Sequence, residues 1–75
     1  MKLTIYRDNN AIASLTEKDN ILHTLGNILT NSRWKIEPTN VHKLKYVYTS
    51  LDGTNNWLVS GLNIHWQTGM FITID

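Results

Sequence analysis

His23, His42 and His65 are the side chains best suited to proton transfer or metal ligation near neutral pH. Their spacing matches no metal-binding motif, and each falls on a different predicted element, so ordinary surface histidines are the expected reading. Nucleophilic catalysis needs a hydroxyl or thiol beside a base and a third, orienting group. Cysteine is absent, and Ser14, Ser32, Ser50 and Ser60 lie outside any Gly-x-Ser-x-Gly turn. The acids Asp8, Glu17, Asp19, Glu37, Asp52 and Asp75 fall in predicted turns, at a helix start or on polar strand faces, where structural acids belong. Glycines stand singly at 26, 53, 61 and 69, so no phosphate-cradling loop exists. The expectation is a protein that is not an enzyme, with no cofactor and no metal.

Charge placement says more than the net charge of +1. Positions 33–45 carry Arg33, Lys35, Lys43 and Lys45 against Glu37 alone, whereas positions 46–75 carry only Asp52 and Asp75. If the strands over 33–37 and 42–50 pair, these cations form one patch with Trp34, Tyr46 and Tyr48 interleaved. Phosphates on the cations and bases stacked on the aromatics would make that patch a nucleic-acid face. The competing reading points Trp34 and at least one of the tyrosines into the core and leaves a solvated cationic edge, with lysines guarding the strands against edge-to-edge pairing. The small net charge favours the latter, since nucleic-acid binders carry a stronger basic footprint.

Trp57 and Trp66 raise a different possibility. A chain of this size buries only about 60% of its unfolded surface, so its seven aromatic side chains cannot all be fully inside. Those left out would be anchors for a partner, because Trp and Tyr dominate the centres of protein interfaces. His65, Gln67, Asn55 and Asn56 would give such a patch a polar rim.

The elements that must position these residues follow from periodicity. Leu3 and Ile5 alternate with Lys2, Thr4 and Tyr6, the mark of a half-buried strand. Asp8-Asn9-Asn10 is a hairpin turn by composition, with residues 11–15 returning as a short strand. Thr16 is placed to cap a helix over residues 17–30, and Glu17 and Asp19 suit the positive end of its dipole. Ile21, Leu22, Leu25, Ile28 and Leu29 fall within an arc of about 120° and predict a single core-facing stripe. Gly26 borders the stripe, where it would let the helix approach a sheet closely. From Arg33 onward the period is two. Trp34 and Ile36 predict a strand broken at Pro38, and residues 41–51 a second strand rich in β-formers. Residues 52–55 read as a turn. Trp57 and Val59, then Leu62, Ile64 and Trp66, predict one long strand bent or bulged at Gly61. After a turn at Gln67-Thr68-Gly69, Met70, Ile72 and Ile74 predict the last strand.

The pattern predicts a single α+β domain over residues 1–75. One amphipathic helix packs on a single antiparallel sheet, in the order strand or hairpin, helix, four-strand meander. Leu3, Ile5, Trp34, Ile36, Leu62, Ile64, Met70 and Ile72 are the expected partners of the helix stripe. A hydrophobic fraction of 41% against 17% charged residues argues against disorder, and the lack of cysteine excludes a disulfide scaffold. The uncharged run from Gly53 to Ile74 approaches the length of a membrane span. It alternates, and it contains Asn55, Asn56, Asn63, His65 and Gln67, so it reads as sheet. With no secretory h-region near Met1 and no cysteine, the cytoplasm is the expected compartment.

In size and composition, though in no motif, the chain resembles the small single-domain proteins of phages and mobile elements, anti-CRISPR proteins among them. That resemblance implies a non-enzymatic protein that covers a surface of a larger complex. The leading expectation is therefore a protein-binding module, an inhibitor or accessory protein, docking by an aromatic patch or a free sheet edge. The residues proposed to touch a partner are Arg33, Lys35, Lys43, Lys45, Tyr46, Tyr48, Trp57, His65 and Trp66. The alternative is a small nucleic-acid-binding domain using the basic 33–45 segment.

Overall fold

The computed structural model describes residues 1–51 and 55–75. Its elements are β1 (Leu3–Arg7), β2 (Asn10–Leu15), α1 (Lys18–Leu29), β3 (Trp34–Ile36), β4 (Leu44–Tyr48), β5 (Asn55–Val59), β6 (Leu62–Trp66) and β7 (Phe71–Ile74). The fold is α+β with antiparallel pairing throughout, as the sequence pattern predicts.

Two tight turns set the local topology. Asp8 and Asn9 lie at φ 51° and 64° between β1 and β2, the double positive φ that joins twisted antiparallel strands without splaying them. The expected N-terminal hairpin is thus present, with a register slip opposite Ile5 and Tyr6 that inserts Ile12 as an extra residue in β2. Ser60 and Gly61 repeat the turn at φ 49° and 83°, so residues 57–66 are a hairpin and not one bent strand. The hairpin corrects the sheet count as well. There are two sheets, one of five strands in the order β2-β1-β7-β4-β3 and one of two strands, β5-β6. A meander fails because β7 pairs with both β1 and β4 and takes the centre of the larger sheet. Met70, Ile72 and Ile74 explain that choice, since each is almost fully buried and a central strand buries its inward side chains best. The turn expected at 52–55 falls largely outside the described residues.

The five-stranded sheet is covered on one face only. On that face Leu3, Ile5, Leu15, Tyr46, Tyr48, Ile72 and Ile74 meet Ile21 and Ile28 of the helix and Val59, Ile64 and Trp66 of the second hairpin. An aromatic cluster fastens the hairpin to the sheet. Trp34 meets Trp66 and Tyr48 edge-on, with ring centroids 4.7 and 5.2 Å apart, and Trp57 lies 5.4 Å from Trp66. The hairpin is also tied at both ends. Asn20 of the helix donates to the Ser60 hydroxyl at its tip (3.1 Å), and the Arg7 guanidinium donates to the His65 carbonyl near its base (3.2 Å).

The helix sits rotated from the predicted stripe. Ile21, Thr24 and Ile28 are buried, Leu25 packs partly against the core, and Leu22 and Leu29 are 51% and 68% exposed. Thr24 can turn inward because its hydroxyl donates to the Asn20 carbonyl one turn earlier (2.9 Å), leaving only its methyl to be packed. Glu17, not Thr16, occupies the N-cap, with no side-chain hydrogen bond to an amide. A Cβ at Gly26 would meet nothing within 4 Å, so this glycine does not mark a close approach. Ile36 and Leu62, both expected in the core, are 56% and 48% exposed, Ile36 because it ends the edge strand β3 and Leu62 because it follows the turn at the hairpin tip.

Candidate functional site

The face of the larger sheet that the helix and hairpin leave uncovered carries two rows of side chains, fixed by register. Ala11, Tyr6, Phe71, Val47 and Lys35 run across all five strands. Beside them run Ser14, Thr4, Thr73 and Lys45. Side chains alternate along a strand, so these rows are the necessary counterpart of Leu3, Ile5, Tyr46 and Ile72 on the covered face.

The centre of this face is a stack. Tyr6 and Phe71 are directly paired across β1 and β7, with ring centroids 4.6 Å apart and planes 14° from parallel. The Lys45 ammonium lies 4.4 Å from the centroid of the Phe71 ring. Because β1 and β4 flank β7 on opposite sides, Phe71 is held between Tyr6 and Lys45, a π-stack on one face and a cation on the other. Glu37 forms an ion pair with Lys45 at 3.3 Å and prolongs the arrangement towards β3. In the second row Thr4 and Thr73 are 9% and 1% exposed, and Tyr6, Phe71, Val47 and Lys45 are half-buried. At the end of β7 the Asp75 carboxylate meets His42 Nδ1 at 2.9 Å.

The residues singled out from the sequence separate in three directions. Lys35 and Lys45 lie on the open face, whereas Lys43 precedes β4 and lines a hollow with Ile36, Pro38 and Leu44. Arg33 goes elsewhere, lining a cavity with Asn27 and Trp57 at the C-terminal end of α1. Tyr46 and Tyr48 are buried on the covered face, 8% and 1% exposed, so they cannot stack on bases or touch a partner. The parity of β4 requires this. Residues 46 and 48 face opposite to 45 and 47, and one strand cannot offer its lysines and its tyrosines to the same surface. Trp66 is wholly buried in the aromatic cluster and is removed from the contact surface, while Trp57 is half-buried. His65 is exposed on the outer side of the second hairpin.

Tyr6 and Phe71 were not among the expected contact residues. The signal for them is present in the sequence, since each breaks the polar phase of an otherwise apolar/polar alternation. An aromatic in the polar phase of a strand has no place in a one-sided core.

Among the described residues no group of three or more His, Asp or Glu side chains is placed to hold a metal ion. No helix among them is long and apolar enough to cross a membrane. Comparison with known proteins finds no family model, no curated protein and no solved structure that matches the chain.

Proposed function

We propose that this chain is a non-enzymatic protein-binding module that docks through the open sheet face, as a small inhibitor or accessory protein occupying part of a larger one. The observation that carries this reading is the Tyr6–Phe71–Lys45 stack at the centre of an uncovered sheet. Aromatic side chains already held against one another lose little rotamer freedom when a partner covers them. Lys35 and Lys45 against Glu37 leave one excess positive charge on the β3–β4 side of the face, which favours a partner whose rim there is acidic, with charge setting association rate more than affinity. Five strands about 4.8 Å apart and five residues about 3.3 Å each give a face of about 400 Å² in projection. Standard interfaces take about 800 Å² from each partner, so the contact should extend onto the segment leading into β4, where Lys43 lies.

Single-stranded nucleic acid on the same face is the second reading, favoured by the lysines that flank the aromatic row. It ranks behind because base stacking needs a free ring face, and Phe71 has Tyr6 on one side and Lys45 on the other.

Affinity capture with the parent chain and with Phe71→Ala, followed by mass spectrometry, tests the first reading. A protein retained by the parent and lost with Phe71→Ala, but kept by Leu58→Ala on the far hairpin, is the expected result. Equal recovery with all three chains would refute the assignment of the face. Electrophoretic shift titrations at two salt concentrations test the second reading. Two lysine contacts, from Lys35 and Lys45, to single-stranded nucleic acid would give a slope of log affinity against log salt of about −1.4, and no shift is expected.

A further inference from the structure

On the covered side of the sheet, remote from the docking face, the C-terminal end of α1 and the start of β5 border an open, shallow cavity of about 590 Å³. That volume lies within the range of about 300–1,000 Å³ typical of small-ligand sites. Its lining brings together Arg33 and Trp57, two residues the sequence marks for unrelated reasons, with Asn27, Asn31 and Asn55. Trp57 is half-buried, with its indole anchored against Trp66 and Trp34. Asn31 is held in place because its Oδ1 accepts from the Arg33 amide at 2.9 Å, which leaves the Asn31 NH₂ group to donate. Asn27 and Asn55 add two further amides, each both donor and acceptor.

The donor set decides the class of ligand. An anion would find one cation, Arg33, beside the end of a helix where the dipole is negative. An apolar ligand would find one indole surrounded by amides and hydroxyls, whose desolvation would go uncompensated. A neutral polyhydroxylated ring fits both halves of the site. Its C–H face matches the indole, and its hydroxyls, donors and acceptors at once, match the asparagine amides. We infer that this cavity is a binding site for a neutral saccharide, with Trp57 as the stacking platform and Asn27, Asn31, Asn55 and Arg33 as the hydrogen-bonding rim.

Proton–nitrogen NMR correlation spectra of the intact chain test the assignment, with glucose, galactose and N-acetylglucosamine each titrated to about 50 mM and inorganic phosphate run in parallel. At least one sugar should give saturable shifts, with Kd of about 1–10 mM, at the Trp57 indole N–H and the Asn27 and Asn55 amides. Asn27→Leu should weaken that binding at least tenfold while keeping the dispersed spectrum of a folded domain. Trp57→Leu serves as a second variant, read only if its spectrum is equally dispersed. The assignment is overturned if none of the sugars shifts these signals, if the shifts map to the open sheet face, if Asn27→Leu binds as the parent does, or if phosphate alone saturates the site. Since the cavity and the docking face share no residue, either assignment can fail without the other.

Discussion

Replacing Ile28 by alanine, with Leu29→Ala beside it, discriminates between the helix face seen in the structure and the one periodicity predicts. Both residues belong to the stripe read from the sequence, but Ile28 is 2% exposed and Leu29 is 68% exposed. Truncating a buried isoleucine removes its transfer energy and leaves a cavity, at a cost of about 2–5 kcal/mol. Truncating an exposed leucine falls within about 0.5 kcal/mol, and alanine's higher helix propensity adds no penalty. For a domain of this size each kcal/mol moves Tm by about 4–8 °C. Ile28→Ala should therefore lower Tm by at least about 8 °C, and Leu29→Ala by no more than about 4 °C. Thermal unfolding followed by circular dichroism reads both. Leu25→Ala does not separate the two faces, because Leu25 touches the core in either. If Leu29→Ala destabilises as much as Ile28→Ala, the helix is seated on Leu22, Leu25 and Leu29, and the inward placement of Thr24 is wrong.

Tyr48→Phe should leave stability unchanged or raise it by up to about 1–3 kcal/mol in urea unfolding, because the buried Tyr48 hydroxyl has no hydrogen-bond partner among the described residues. A clear loss of stability would mean that the hydroxyl is satisfied. Gly61→Ala should cost about 1–2 kcal/mol although its Cβ would meet nothing, because φ is 83° there; an unchanged midpoint in the same assay would count against the tight turn between β5 and β6. Lys45→Glu, once a partner is in hand, should slow association and flatten its salt dependence while the dissociation rate changes less, as stopped-flow mixing would show. An unaltered association rate would place the contact away from β4.

Period-two alternation made most of the strands legible. Leu3 and Ile5 are fully buried, as are Ile72 and Ile74, and the turn at Asp8 and Asn9 has the backbone that its residue types require. What alternation does not encode is which strand pairs with which. The pairing of β7 with β1 spans almost the whole chain, and no local pattern distinguishes it from a meander. Gly61 was ambiguous for a related reason. A lone glycine between two alternating runs suits a bulge or a turn, and only the positive φ of Ser60 beside it closes a hairpin. The helix stripe was misplaced because apolar content outweighed geometry. Leu22 and Leu29 widen the stripe on one side, whereas Thr24, polar by type, satisfies its hydroxyl within the helix and packs as an apolar residue.

The same reasoning separates the two readings of the basic segment. Lys45, Tyr46 and Tyr48 look like one binding surface when counted along the chain, yet strand parity divides them between two faces. The tyrosines join Trp34 and Trp66 in a packed cluster that braces the covered side of the sheet. Lys35 and Lys45 go to the other side, where the aromatics come from β1 and β7 instead. That division has a mechanical consequence for binding. A sheet braced from behind by the helix and a tied hairpin presents Tyr6, Phe71 and Lys45 on a backbone that need not reorganise. Stacking already restricts their rotamers, so the ordering cost of an association there, about 0.5–1.5 kcal/mol for each immobilised long side chain, would be largely met during folding. A chain of 75 residues cannot cover both faces of a five-stranded sheet with one helix and one hairpin. On the face that is left, Tyr6, Phe71 and Lys45 interlock beside a Thr73 that is 1% exposed, and a partner docking there would supply the second layer.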